Sequence, residues 1–322
     1  MTRLLLLDVG KTGCRAALVE AGVRVASGQA PGAGGIAEAD GPARALGAIA
    51  AATEGWPAPD RIAAGLAGLA SAPGRAGALA AGLRARFGAA VEVLLGSDMT
   101  LWHAGALGGA PGVVLAAGTG TVALGVDAGG RSARVDGWGH QLGDDGSGYA
   151  IGRAGLRAAL RAQDGRPGGS NDLLARVRAR FGDPDGVPAR MYGAANPARE
   201  IAAFAPDVLA VAAVEPDADP VAAGIVGRAA TDLADAAAAA AHRLQLPARP
   251  TGVQPVACGG GLLAAGPVLT GPLDAALTAR SLTRTTPLGD ALDGARLLLE
   301  DPHVPHHALL TAAETPAPGG AR

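Results

Sequence analysis

Lysine is nearly missing from this chain of 322 residues: of 27 basic Lys and Arg side chains, Lys11 alone is a lysine. Compositional drift toward Ala, Gly, Arg and Pro replaces lysine wherever arginine serves, so the survivor marks either a place where a compact point charge suits better than a planar fork or an escape by chance. Cysteine is nearly as scarce. Cys14 and Cys258 lie far apart in apolar runs, which excludes a disulfide framework and any cysteine metal spacing and makes a reducing cytoplasm the expectation. Aromatic residues are 2% against 49% hydrophobic, so the cores must be built from Ala, Leu and Val with small residues at close approach. A net charge of -2 offers no general attraction to nucleic acid or anionic membrane. The first residues lack a signal-peptide pattern, and no run approaches the length of a membrane span without glycine or charge.

What is present suggests two domains. Leu4 to Leu7 is a fully apolar run closed by Asp8, which predicts a buried strand. Strands are also expected at Cys14 to Glu20 and Val23 to Gly28, then helix at Pro42 to Thr53, strand at Arg61, helix at Pro73 to Phe87 and strand at Val91 to Leu95. A three-strand meander followed by helix–strand repeats is an α/β pattern, a mixed sheet flanked by helices. The pattern then restarts. Gly112 to Ala117, "GTGT" (Gly118 to Thr121), Val122 to Asp127 and Ser132 to Asp136 repeat the first meander. Helices are expected at Ser147 to Gln163, Asp172 to Phe181 and Pro220 to Leu246, and a strand at Pro255 to Cys258 leads into "GGGLL". Helices at Gly266 to Arg280 and Leu288 to Leu299 close the pattern, and the segment after Asp301 reads as a frayed tail. Two similar halves facing each other across a cleft are the expectation.

Glycine loops between strands expose several backbone N–H groups on one side and admit a phosphate closely. "DVGKTG" offers Gly10, Lys11 and Thr12, and the second loop offers Gly118, Thr119, Gly120 and Thr121. Either loop alone is as readily a hairpin turn; at matching places in two halves they favour a nucleotide's phosphates. Asp8, ending the first strand, could hold Mg²⁺ through water or cap its own loop's amides. Asp98 ends another strand and opens a helix, as an N-cap or as a general base for a sugar hydroxyl. "DGWGHQLGDDGSGYAIG", Asp136 to Gly152, gathers acids, His140, Trp138 and Tyr149 among glycines, as a carbohydrate pocket would; the plain alternative is a surface loop before an acidic helix start. Gly260 and Gly261 would let a flat adenine or ribose lie on backbone. His303, His306 and His307 fall in the tail, where no role is expected.

These motifs, above all "GTGT" followed by "GWGHQLGDDGSGYAIG", with "GLAGLA" and "CGGG" in support, resemble the BadF/BadG/BcrA/BcrD-type ATPases of the actin-like sugar kinase superfamily, and more narrowly N-acetylglucosamine kinases. The resemblance spans roughly Leu4 to Leu299. It implies an α/β fold of two ribonuclease-H-like lobes with mixed five-stranded sheets, 1–111 and 112–301 with a helical elaboration, followed by a tail at 302–322. It implies ATP and Mg²⁺ as cofactors, Asp98 as catalytic base, a sugar-binding loop of Gly137, Trp138, Gly139 and Asp144, phosphate contacts from Thr12 and Thr119, and Gly260 and Gly261 near adenosine. A small sugar is the implied partner, with a homodimer as a family expectation. The family's first loop reads D-G-G-G-T-K-T; here Asp8, Gly10 and Thr12 keep their places, Lys11 replaces a glycine and Gly13 stands where the lysine usually is. The sugar-contacting asparagine after the third strand is absent from "PGAGG". The function implied is phosphorylation of the 6-hydroxyl of N-acetylglucosamine or glucosamine. Two other readings remain: an ATPase activating a 2-hydroxyacyl-CoA dehydratase, which would need cysteines placed for an intersubunit iron–sulfur cluster, and a non-catalytic sugar or nucleotide sensor of the same fold.

Overall fold

Four consecutive leucines, Leu4 to Leu7, are all buried because both faces of their strand are covered. Leu5 and Leu7 enter one core with Ile49, Leu79 and Leu83; Leu4 and Leu6 enter another with Leu101, Leu292 and Leu298. A strand buried on one face alone would alternate; this one has no polar side to show. Each such leucine contributes about 1.5–3 kcal/mol. The computed structural model describes residues 2–214, 218–246 and 252–312.

In the first half, β1 (Arg3–Val9), β2 (Gly13–Glu20) and β3 (Val23–Pro31) form an antiparallel meander. Helix α1 (Gly41–Ala52) leads to β4 (Arg61–Leu66), and α2 (Ala76–Phe87) to β5 (Glu92–Ser97); β4 pairs parallel with both β1 and β5. Helix α3 (Asp98–Ala106) follows β5 directly. The second half repeats the plan with β6 (Gly112–Ala117), β7 (Thr121–Val126) and β8 (Ser132–Asp136). Helices α4 (Gly148–Gln163), α5 (Asn171–Phe181), α6 (Val187–Gly193), α7 (Pro197–Ala202), α8 (Ala205–Ala212) and α9 (Pro220–Arg243) come next. Strand β9 (Gln254–Gly259), α10 (Pro267–Thr278), β10 (Leu282–Thr285), α11 (Ala291–Glu300) and the two-residue β11 (Thr311–Ala312) complete the chain. The sheet orders are β11-β5-β4-β1-β2-β3 and β10-β9-β6-β7-β8. Set β11 aside and each position in one sheet has its counterpart in the other, so the repeat read from the glycine loops holds at the level of topology.

The chain divides into two compact units. One comprises Met1–Pro111, Val126–Ser132 and Pro287–Arg322; the other comprises Gly112–Gly125 and Ala133–Thr286. The sequence reading carried the second lobe to 301, whereas residues from Pro287 onward group with the first. Helix α11 is the cause, since it packs on α3 and β1. It does so without side chains at the crossing: a Cβ on Gly105 would overlap the carbonyl of Asp290, and one on Gly294 would overlap the carbonyl of Leu101. The second unit is built on α9, whose buried Ala230, Ala234 and Ala237 let it lie close to its neighbours, and on Phe204, its one wholly buried aromatic among the described residues.

The segment after Asp301 is not frayed as far as Ala312. A turn of 3-10 helix at Pro305–Leu309 leads into β11, which adds antiparallel to β5 and gives the first sheet a sixth strand. His306, expected to be idle, is wholly buried, its Nε2 at 2.7 Å from Nδ1 of His103 on α3. Burial pushes its pKa down to about 3, so the His306 ring is neutral. The rest of the predicted tail, 313–322, lies outside the described residues.

The α3–α11 crossing sets a test. Gly294→Ala forces the two backbones apart and is expected to destabilise the protein by about 2 kcal/mol, within the range for overpacked cores, while Gly271→Ala, where nothing lies within 4 Å, is expected to show no such loss in urea unfolding.

Candidate functional site

Asp8, the sixth residue of β1, stands in register with Arg15 of β2 on one side and Gly65 of β4 on the other. Gly65 is in turn paired with Gly96 of β5, one residue before Ser97 and two before Asp98. A Cβ on Gly65 would come within 3.3 Å of the Asp98 Cα. The fold thus brings Asp8 and Asp98 to the carboxyl ends of β1 and β5, the two parallel strands that flank β4, at the edge where open α/β sheets take ligands. The helix cap is not Asp98 but Ser97, whose Oγ accepts from the Thr100 N–H at 3.0 Å. This corrects the capping explanation for Asp98, which is the first residue inside α3 and half-buried.

Asp8 does not cap its loop. The Arg15 guanidinium donates to its Oδ2 from Nη2 at 2.6 Å and from Nε at 3.0 Å, and reaches on to Asp290 Oδ2 at 2.7 Å. Asp290 uses its other oxygen to cap α11, accepting from Leu292 and Asp293 N–H groups. Burial alone would raise the Asp290 pKa, but the Asp293 N–H and the charge of Arg15 outweigh it and hold the carboxyl below its ordinary 3.8. The first glycine loop closes through Gly10 N–H to Gly13 C=O at 2.8 Å, and Ala33 and Gly34 donate to the carbonyls of Gly10 and Lys11. Lys11 and Thr12 are exposed on it. Among the described residues no group of three or more His, Cys, Asp or Glu is placed to hold a metal. Asp8 offers one hard carboxylate partly committed to Arg15, which fits an ion that arrives on a nucleotide and keeps its waters, and does not fit a protein-built cage.

In the second unit, Gly118 to Thr121 forms the matching turn, with Gly118 N–H bonded to Gly120 C=O at 2.9 Å. Its carbonyls are spent on α4: Gly148 N–H donates to Gly118 and Tyr149 N–H to Thr119, while Ser147 Oγ caps Ala150. Thr119 is exposed. Thr121 is buried and its hydroxyl has no partner, so its predicted phosphate contact is corrected: of the pair, Thr119 alone presents a hydroxyl. Gly260, at φ +106°, lies where a Cβ would overlap the Ala117 carbonyl, which presses the β9 turn against the end of β6. Gly261 and Leu262 thereby join Gly118, Thr119 and Gly148 around one cavity of about 720 Å³, otherwise lined by apolar residues of α7, α8 and α10 and by Arg199. The size and lining suit a drug-sized or nucleoside-sized ligand.

The loop after β8 is organised by Asp136, one of the acids expected to line a carbohydrate pocket. Asp136, at φ +60°, accepts from the N–H of Asp144 at 2.7 Å and of Asp145 at 2.8 Å. Arg134 donates to the carbonyls of Asp136 and Gly137 and lies 5.4 Å from the Trp138 ring centroid. Trp138 is 69% exposed. Gly137 and Gly139 take positive φ. The Asp144 carboxylate turns toward the glycine loop, accepting from Thr121 N–H at 3.3 Å, and a Cβ on Gly120 would meet its Oδ2 at 2.8 Å. Asp144 therefore ties the two loops together. The cysteines are inert: burial, with Asp8 adding to it, pushes Cys14 up to about 11, and burial pushes Cys258 up to about 12. Thiols so placed are poor ligands for a shared surface cluster.

The sequence profile of the BadF/BadG/BcrA/BcrD ATPase family matches residues 7–272. A protein of Chromobacterium violaceum described as a candidate N-acetylglucosamine kinase shares 29% identity, with a TM-score of 0.73 over 93% of this chain and 99% of its own. A second protein so described, from Porphyromonas gingivalis, is 19% identical with a TM-score of 0.70, covering 96% of this chain and 99% of that one. A ROK family glucokinase of Streptomyces griseus, solved with glucose and AMPPNP, is 16% identical with a TM-score of 0.55, covering 92% and 98%. The last two are likenesses of fold. No protein of curated function matches in sequence. Two ribonuclease-H-like lobes, each a mixed sheet flanked by helices, are thus the fold class.

The Asp290 network has a pH signature. Its folded pKa is depressed, so its contribution is complete above about pH 4, the ordinary carboxylate range, and is lost as pH falls through the folded value. Asp290→Asn is expected to lower stability at pH 7 and to flatten the acid decline seen in urea titrations between neutral pH and pH 3.

Proposed function

The chain belongs to the BadF/BadG/BcrA/BcrD ATPase family, and from that premise we propose that it is an ATP-dependent kinase that phosphorylates the 6-hydroxyl of an amino sugar, N-acetylglucosamine or glucosamine. The observation that carries the reading is the cavity shared by the Gly118–Thr119 turn and Gly261, which gives a purine a largely apolar wall beside a loop built for phosphate. The amino-sugar assignment rests on the 29% likeness to the Chromobacterium violaceum protein and on the exposed Trp138, whose ring offers a sugar a flat face.

In the proposed reaction the sugar oxygen attacks the γ-phosphorus, the new O–P bond forms as the bond to the β-phosphate oxygen breaks, and ADP leaves. Asp98 takes the hydroxyl proton as general base. The hydroxyls of Thr12 and Thr119 and the ammonium of Lys11 stabilise phosphate charge, as positioned donors do in phosphoryl transfer. Mg²⁺, held by Asp8 through water, would neutralise charge on the nucleotide. The described helices include none long and apolar enough to cross a membrane.

With Mg-ATP, wild-type protein is expected to release ADP only when one of a panel of amino sugars and hexoses is added. Asp98→Asn should lower kcat by about 10²- to 10⁴-fold, the usual worth of a general base, and leave ATP affinity as it was. Wild-type turnover by that variant would remove Asp98 from the mechanism.

A further inference from the structure

Beside the loop after β8 lies a second cavity of about 510 Å³, bounded by His140, Asp145, Tyr149, Arg153 and Arg157. Arg153 and Arg157 are one turn apart on α4, opposite the face that buries Ile151, Gly155 and Leu156. Among the described residues neither makes a hydrogen bond or an ion pair, whereas the exposed Arg180 and Arg284 each hold a carboxylate. Two like charges at this spacing repel along a helix, and an anion bridging them would relieve that. The His140 and Tyr149 rings meet edge to face at 4.9 Å and form an apolar wall. Asp145 holds a carboxylate on the same cavity while its N–H is fixed by Asp136.

We propose that this cavity is a second ligand site, and that it takes a sugar phosphate. The paired guanidinium forks suit a phosphate monoester. The carboxylate of Asp145 would repel a bare anion but accepts hydroxyl donors, which a sugar carries and inorganic phosphate does not, and the ring wall suits the sugar's C–H face. Should the kinase reading hold, this site senses a molecule of the product's class; the assignment itself does not depend on turnover.

The test is calorimetric titration at constant ionic strength with glucose 6-phosphate, inorganic phosphate and glucose in separate arms. Glucose 6-phosphate is expected to bind wild-type protein more tightly than inorganic phosphate. The double variant Arg153→Gln/Arg157→Gln is expected to weaken it by about tenfold or more, as loss of charged hydrogen bonds should, and to leave glucose binding unchanged. Arg153→Lys/Arg157→Lys, which keeps the charge and loses the forks, should fall between the two and guards against a folding defect in the first variant. An unchanged affinity in both variants, or inorganic phosphate binding as tightly as the sugar ester, overturns the assignment. Neither result bears on Asp98, so the two readings fail separately.

Discussion

Backbone meets backbone where α3 crosses α11, because Gly105 and Gly294 leave no side chain between them, and the first unit's chemistry hangs on that contact. Helix α3 begins at Asp98 and helix α11 begins at the cap Asp290. Clamping the two helices therefore fixes, in one stroke, the carboxylate proposed as base and the one that steadies Arg15. Through Arg15 the restraint reaches Asp8 on β1. A segment late in the chain thus sets the geometry of residues at its start, and the C-terminal turn adds to it by seating His306 beneath α3 and β11 along β5.

The second unit solves a different problem. A helix start such as that of α4 leaves N–H groups without partners, and here the carbonyls of Gly118 and Thr119 accept two of them. Helix and glycine loop consequently hold each other in place. Asp136 and Asp144 extend the arrangement, since one gathers the backbone of the following loop and the other braces Gly120 and Thr121. What results is a turn whose carbonyls face inward to the helix, leaving the Thr119 side chain directed to the cavity it shares with Gly261.

Much of this was open to reading because it is local. Leu4 to Leu7 and the glycine turns after β1 and β6 declare themselves within a few residues, and their recurrence announced two similar halves. Asp98 was found by its place after a strand. What escaped notice depends on partners distant in sequence. Nothing near Asp290 says that it faces Arg15, and nothing near His306 says that α3 will bury it. The Pro- and Gly-rich ending looked unstructured, because a two-residue strand carries no periodicity and owes its order to β5. Ser97 and Asp98 compete for one cap, and only the backbone angles decide between neighbours so alike. Thr119 and Thr121 likewise look equivalent in "GTGT", yet alternation along β7 sends the second one inward.

The glycine contacts carry an evolutionary consequence. Where a side chain collides with another side chain, a compensating change elsewhere can restore the fit. At Gly105, Gly260 and Gly294 the colliding partner is a peptide carbonyl, which no second-site substitution can make smaller. Such positions have no neighbours with which to co-vary, and lineages that drift freely elsewhere must hold them still or abandon the local geometry altogether.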